Sequence, residues 1–417
     1  MREMKDSGIE WIGNIPVNWD IMPNKYLMWK KKRICPVYNG EDIISLSMNG
    51  VIVRDLDAGG KMPTSFDGYQ YIESGNLLMC LFDIDVTPRC IGLIKCNGLT
   101  SPAYSQFVLT DLADAAYYNY YYMMLDNDKT LVHLAKNLRH SLTEEQLGTI
   151  STIVPPKSEQ KVIANYLDDK IEEINSIASD LQVEIEALEE YKKSLVFRII
   201  SRGIKKASLK STVSDVWTAI PETWELIDIK YVFEIVKRIA GQEGFDVLSV
   251  TQKGLKVKDI ESNNGQQAES YAGYQFVYPT DYVMNHMDLL TGWVDCSTMF
   301  GVTSPDYRVF RLRDKENNDL TYFKYVMQCC YMSRIFYSLG QGVSNLGRWR
   351  LQTSAFNNFM IPVPPLDEQR KIADYLDTKI SEIDIIIADK QKQIETIKEY
   401  KKSLIFEYVT GKKEVQA

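Results

Sequence analysis

The chain is written twice, and no other feature limits its possible folds so strongly. The segment PPKSEQKVIANYLDDKIEEINSI (155–177) aligns without gaps to PPLDEQRKIADYLDTKISEIDII (364–386). The match continues from EYKKSLVF (190–197) to EYKKSLIF (399–406), all at an offset of 209, with about half of the aligned positions identical. Weaker echoes precede each segment. Ile15, Pro16 and Trp19 recur as Ile220, Pro221 and Trp224, and Lys25-Tyr26 recurs as Lys230-Tyr231. Gly68-Tyr69-Gln70 recurs as Gly273-Tyr274-Gln275, and Thr100-Ser101-Pro102-x-Tyr104 as Thr303-Ser304-Pro305-x-Tyr307. A period this long means tandem duplication of a whole unit. The order is a globular part (1–154), a long helix (155–203), a second globular part (204–361) and a second long helix (362–417).

Each helix opens on Pro-Pro, which cannot lie inside a helix, followed by Ser158 or Asp367 as the expected N-cap. From there apolar residues recur every three or four positions: Leu167, Ile171, Ile174, Ala178, Leu181, Ile185, Leu188 and Leu195. The second copy gives Leu376, Ile380, Ile383, Ile387, Ile394, Ile397 and Leu404, with Glu, Asp and Lys on the other faces. That is a coiled-coil seam. Gly203 and Gly411 stand just past the ends, so each helix spans about 40 residues, about 60 Å. Packing the two helices on each other antiparallel satisfies both seams and relates the globular parts by a pseudo-twofold axis. The alternative is that each helix packs on its own globular part.

Short β-rich runs punctuated by Asn-Gly, Gly-Gly and Asp-Gly pairs fill the globular parts. The first contains Asp42–Ser47, Val51–Arg54, Asn76–Leu81 and Ile91–Ile94. The second contains Asp246–Val250, Gln275–Tyr278, Asp281–Met284 and Val309–Leu312. Tyr117–Leu125 and Leu320–Met332 read as helices, so the fold class is α+β: two mixed domains joined by two long helices. The run of Tyr117, Tyr118, Tyr120, Tyr121 and Tyr122 reads as helix packing in preference to base stacking.

The 417 residues are 45% hydrophobic and 25% charged, enough for two to four globular domains. No run approaches the ~18 apolar residues of a membrane span. The opening MREMKDSGIEW has no apolar core, so no signal peptide is expected. Seven cysteines without a C-x-x-C pair, and three histidines, give no zinc-ligand spacing, and reduced thiols of a cytoplasmic protein are expected. The net charge of −8 runs against nucleic-acid binding. Residues 1–154 carry 14 basic and 18 acidic side chains, and 204–361 carry 17 of each, so DNA contact requires local positive patches.

Paired loops supply such patches. Arg54 aligns with Lys258 after matching turns at Gly50 and Gly254, and the first loop runs on through Lys61. The second holds Lys253, Lys256 and Lys258, then Asn263, Asn264, Gln266 and Gln267. Lys and Arg suit phosphates and guanine, and Asn and Gln suit adenine, although loop polar residues are more often simply solvated. Near the end of each globular part stand Arg139-His140 and a Gly-rich stretch with Gln341, Asn345, Arg348, Trp349 and Arg350. These either track a phosphate backbone or form a tight connection before the closing strand. There is no phosphate-binding P-loop and no nucleophile elbow. Glu222, Asp228 and Lys230 loosely resemble a metal-nuclease spacing, but the first copy has Val17, Pro23 and Lys25 there.

The opening KDSGIEWIGNIPVNW, the closing IPVPPLDEQRKIADYLDTKISEID and the terminal EYKKSLIFEYVTGK resemble type I restriction-modification specificity subunits. So does GYQFVYPTDYVMN…GVTSPDY, and the signature P-P-x-x-E-Q-x-x-I-A-x-Y-L-D occurs twice. The resemblance covers essentially the whole chain. It implies two target-recognition domains, each reading one half of a bipartite DNA site, in a host-defence restriction system. The helices, through the seam residues named above, would set the unread spacer and dock two methyltransferase subunits. No catalytic residue, metal or cofactor is implied in this chain. S-adenosylmethionine, ATP and Mg would sit on the methyltransferase and restriction/translocase subunits. A stand-alone nuclease and a coiled-coil scaffold without a nucleic-acid role are the competing readings.

Overall fold

In the computed structural model the residues described are 2–57, 63–135, 140–260, 268–341 and 349–415. Two compact units form: Met1–Leu181 with Lys392–Ala417, and Gln182–Gln391. Each unit therefore takes one globular part together with pieces of both long helices.

In unit 1 a four-stranded antiparallel sheet has the order Met28–Lys31, Ser105–Leu109, Leu77–Met79, Ile91–Leu93. Helix Ala115–Asn127 packs on it, with Asp114 capping its first turn by accepting from the Ala116 and Tyr117 N–H groups at 3.1 Å. Unit 2 repeats the sheet as Phe233–Val236, Arg308–Leu312, Tyr282–Met284, Val294–Cys296, all antiparallel. It repeats the helix as Leu320–Met332, capped by Asp319. Each sequence-derived strand and helix falls on an observed element, in these sheets or in the flanking two-stranded pairs, with its ends within two residues.

The long helices run Lys157–Arg202 and Leu366–Val409. Their N-caps differ from the expectation. Pro156 and Pro365 supply the first helical carbonyls, accepting from Glu159 and Gln160 and from Glu368 and Gln369. Ser158 and Asp367 already lie inside the first turn. Proline serves because its fixed φ suits the entry and it has no N–H to leave unpaired. At the far ends Gly203 and Gly411 adopt φ of 74° and 70°, the left-handed closure that glycine accepts without strain.

The helices pair antiparallel in both units. In unit 1 the rings of Tyr166 and Tyr408 are 4.5 Å apart, and Lys401 donates to Asn175 Oδ1 at 2.9 Å. Leu167, Ile171 and Ile174 share one buried core with Leu404, Ile405 and Val409. In unit 2 Lys192 pairs with Asp384 at 2.7 Å and Lys390 with Glu184, while Ile185, Leu376, Ile383 and Ile387 are buried. Leu181, Leu188, Ile380, Ile394 and Ile397 are half-buried. Apolar burial of about 1.5–3 kcal/mol per large side chain holds the seam; the exposed ion pairs add little.

Candidate nucleic-acid interface

Most of the repeated motifs are scaffold. Gln70 and Gln275, both buried, spend their side-chain amides alike: Gln70 donates to the Ser101 and Tyr104 carbonyls, Gln275 to those of Ser304 and Tyr307. Thr100 donates to the Ile44 carbonyl and Thr303 to the Leu248 carbonyl. The E-Q of the helix signature is a latch. Gln160 accepts from the Asp114 N–H and donates to the Pro155 carbonyl; Gln369 does the same with Asp319 and Pro364. These hydrogen bonds commit the side-chain amides and hydroxyls named to the frame.

The tyrosines are packing, as the sequence suggests. All five are buried, and four find partners: Tyr117 on the Val409 carbonyl, Tyr118 on the Ile153 carbonyl, Tyr120 on Asp168 and Tyr122 on Asn24. Burial pushes their hydroxyls well above the usual phenol range.

The two β-hairpins are built alike. Ile44–Ser47 pairs with Gly50–Val53, and Leu248–Thr251 with Gly254–Val257. The turns are closed by Ser47 and Thr251 hydroxyls donating to the Gly50 and Gly254 carbonyls. Gly50 and Gly254 have φ of 89° and 94°, which is why glycine stands there twice. Arg54 and Lys258 follow as true equivalents: their N–H groups donate to the Ile43 and Val247 carbonyls, both at 2.7 Å. Lys253 and Lys256 are exposed on the second hairpin.

These hairpins end a longer row. In unit 1 the Tyr71 N–H donates to the Arg33 carbonyl, Tyr71 faces Leu99 across an antiparallel pair, Leu99 bridges Ile43, and Ile43 holds Arg54. In unit 2 the row is Arg238, Phe276, Val302, Val247, Lys258, through the same contacts. A basic residue stands at each end of both rows. Arg33 and Arg238 begin from a triplet outside the motifs named above: Lys32-Arg33-Ile34 recurs as Lys237-Arg238-Ile239. Arg33 lies over the Tyr71 ring at 4.4 Å, and Arg238 over the Tyr278 ring at 4.7 Å while also pairing with Asp281.

The end-loop candidates are flanked alike. Ile84 N–H donates to the His140 carbonyl and Leu289 N–H to the Trp349 carbonyl, both at 3.2 Å. Leu142 and Leu351 then hydrogen-bond to Leu81 and His286. His140 engages Asp85 through Nδ1 at 2.9 Å, holding that carboxyl below its ordinary range. Gln341 and Arg350, both exposed, exchange backbone hydrogen bonds across 342–348. Lys61, Arg139, Asn263, Gln266, Asn345 and Arg348 lie outside the described residues.

Beneath Arg350 sits a buried basic pair. Arg308 donates to the Leu351 carbonyl and Thr353, and burial lowers its guanidinium to about 10. Burial first, then the charges of Arg308 and Arg350, depress His286 to about 3. In the nuclease-like cluster, Asp228 is held by Lys230 at 2.8 Å, and Lys230 also donates to Asn358. Among the described residues no three His, Cys, Asp or Glu side chains gather as a metal site. All seven cysteines are free thiols, and no described helix is long and apolar enough to cross a membrane.

Residues 221–396 match the family described as type I restriction modification DNA specificity domain. The chain is 26% identical over 282 residues to the type I restriction enzyme MjaVIII specificity subunit of Methanocaldococcus jannaschii, covering 62% of this chain. It is 25% identical over 291 residues to the putative MjaX specificity subunit of the same organism, covering 65% of this chain. Each match spans 61% of the relative's own length. The fold is shared with a chain from a structural study of complex assembly and conformational transition of the type I R-M system. There the TM-score is 0.67 at 12% identity, over 95% of this chain and 99% of that one. It is shared also with the HsdS subunit from Thermoanaerobacter tengcongensis, at TM-score 0.50 and 12% identity, over 97% and 99%. The doubled sheet-and-helix units, the repeated latch and these matches all make the chain similar to type I restriction-modification specificity subunits.

Proposed function

We propose that the chain is the DNA sequence-specificity subunit of a type I restriction-modification complex and performs no catalysis itself. Each globular part reads one half of a two-part DNA site. The long helices fix the length of the unread spacer and dock two methyltransferase subunits, which bring S-adenosylmethionine and methylate adenine. Restriction/translocase subunits, with ATP and Mg, join for cleavage. The observation that carries this reading is an identical frame under different surfaces. Both units repeat the same Gln and Thr hydrogen bonds, yet their hairpins present different side chains: Asn49 and Ile52 in one, Lys253 and Lys256 in the other. Two unlike readers on one frame suit a non-palindromic bipartite target. An acidic chain is compatible with this because partner subunits share in phosphate neutralisation. Replacing residues 1–154 by the corresponding part of another such subunit, followed by methylome sequencing, tests it. One half of the methylated motif changes and the other stays; a motif unchanged in both halves overturns the proposal.

A further inference from the structure

Tandem copies that have diverged at most positions keep an identity for a reason. For Gln70 and Gln275, Thr100 and Thr303, or Gly50 and Gly254 the reason is the frame. In the repeated triplet the backbone of Arg33 and Ile34, and of Arg238 and Ile239, also serves the frame, and Arg238 pairs with buried Asp281, but the side chains of Lys32 and Lys237 have no such role. Lys32 and Lys237 are exposed in both units, and among the described residues neither has a partner. Ile34 and Ile239 stay 45% and 48% exposed, so the triplet is not kept for burial. An exposed cation repeated in both readers serves something both half-sites share. Bases differ between half-sites; the phosphate backbone does not.

The row geometry points the same way. Arg33 and Arg54 cap the two ends of five adjacent chain segments in unit 1, as do Arg238 and Lys258 in unit 2. At about 4.8 Å per neighbouring segment the ends stand roughly 19 Å apart. That exceeds the ≈12 Å width of a major groove, so cations at the two ends straddle a groove and reach the backbones on both sides. The stacked rings of Tyr71 and Tyr278 hold the guanidinium groups in place.

Building on the function proposed above, we propose that each unit grips duplex DNA through the two cationic row ends. These are Lys32-Arg33 with Arg54 in unit 1 and Lys237-Arg238 with Lys258 in unit 2, and they contact phosphates without regard to base sequence. The test uses the full chain co-expressed with its methyltransferase subunit. Binding is measured against salt for a random duplex and for a duplex bearing the methylated motif. K32A/K237A lowers the log–log salt slope by about 2 and weakens both duplexes equally, about tenfold, while the methylated motif stays the same. K32R/K237R restores the slope. An unchanged slope, or an altered motif, overturns the proposal. So does loss of the methyltransferase subunit from the complex at unchanged slope, which identifies a protein-docking patch. A wild-type assembly that methylates no two-part motif overturns the underlying reading instead, a separable result.

Discussion

The indole N–H of Trp224 donates to Glu368 Oε2 at 2.9 Å, tying the second globular part to the first turn of the second long helix. The six-membered ring of the same indole, through Cζ2 and Cη2, lies against Gly203, the residue that closes the first long helix. Trp19 repeats the arrangement with the helices exchanged, bonding Glu159 at 3.0 Å and packing on Gly411. Each tryptophan is thus a wedge between the end of one long helix and the start of the other.

Breaking the wedge bond has a graded cost. Glu368→Ala leaves the fully buried indole N–H without its acceptor, a loss of about 1–3 kcal/mol. Glu368→Gln, which still offers an oxygen, loses less. Urea unfolding of the two variants checks the order, and equal losses would remove the role given to the acceptor.

The closing glycines differ in tolerance. A Cβ at Gly203 would meet Trp224 and Glu368 at 3.2 Å, whereas one at Gly411 would meet Pro16 at 2.6 Å and Trp19 at 2.8 Å. Both positions have positive φ, so each alanine costs about 1 kcal/mol of backbone strain. Gly411→Ala adds overpacking of about 1–3 kcal/mol. Thermal unfolding places Gly411→Ala below Gly203→Ala; the reverse order contradicts the wedge.

Acid destabilises unit 2 through His286. Its folded-state value is depressed to about 3 against an ordinary 6.5, so between these values the unfolded chain binds a proton that the folded one refuses. The contribution is fully present above pH 6.5 and is lost as pH falls, about 1–2 kcal/mol by pH 5. The equivalent position in the first copy is Leu81, which is buried. His286→Leu therefore flattens the pH dependence of urea unfolding between pH 6.5 and 5; a slope identical to wild type refutes the assignment.

The seam is most sensitive where it is driest. Leu376 is fully buried and Ile394 half-buried. Leu376→Ala costs about 2–5 kcal/mol and Ile394→Ala less, which chemical denaturation of the two variants measures.

The long helices, their seam and the doubled order of elements are legible because period and repetition are properties of the sequence itself. The tyrosine cluster is legible too, since five rings on one helix need a core. The N-caps misled: Ser158 and Asp367 look like caps, but the prolines before them take the position and the Glu-Gln pair does the anchoring. The tryptophan wedges and the cationic rows are not visible in sequence. They join segments far apart in the chain, and a row assembled from single bridges such as Ile43 to Leu99 carries no local pattern. Of the proposed DNA contacts, Arg54 and Lys258 are brought to equivalent places, while His140 is engaged with Asp85.

Unit 1 is assembled from two separate segments, Met1–Leu181 and Lys392–Ala417, while unit 2, Gln182–Gln391, is continuous and lies between them in sequence. During synthesis unit 1 is therefore begun before unit 2 and finished after it. A ribosome-bound chain can complete unit 2 while unit 1 still waits for Leu404, Ile405 and Val409 to cover its apolar surface. Without the segment from Lys392 onward, that apolar surface of unit 1 has no cover from the second long helix.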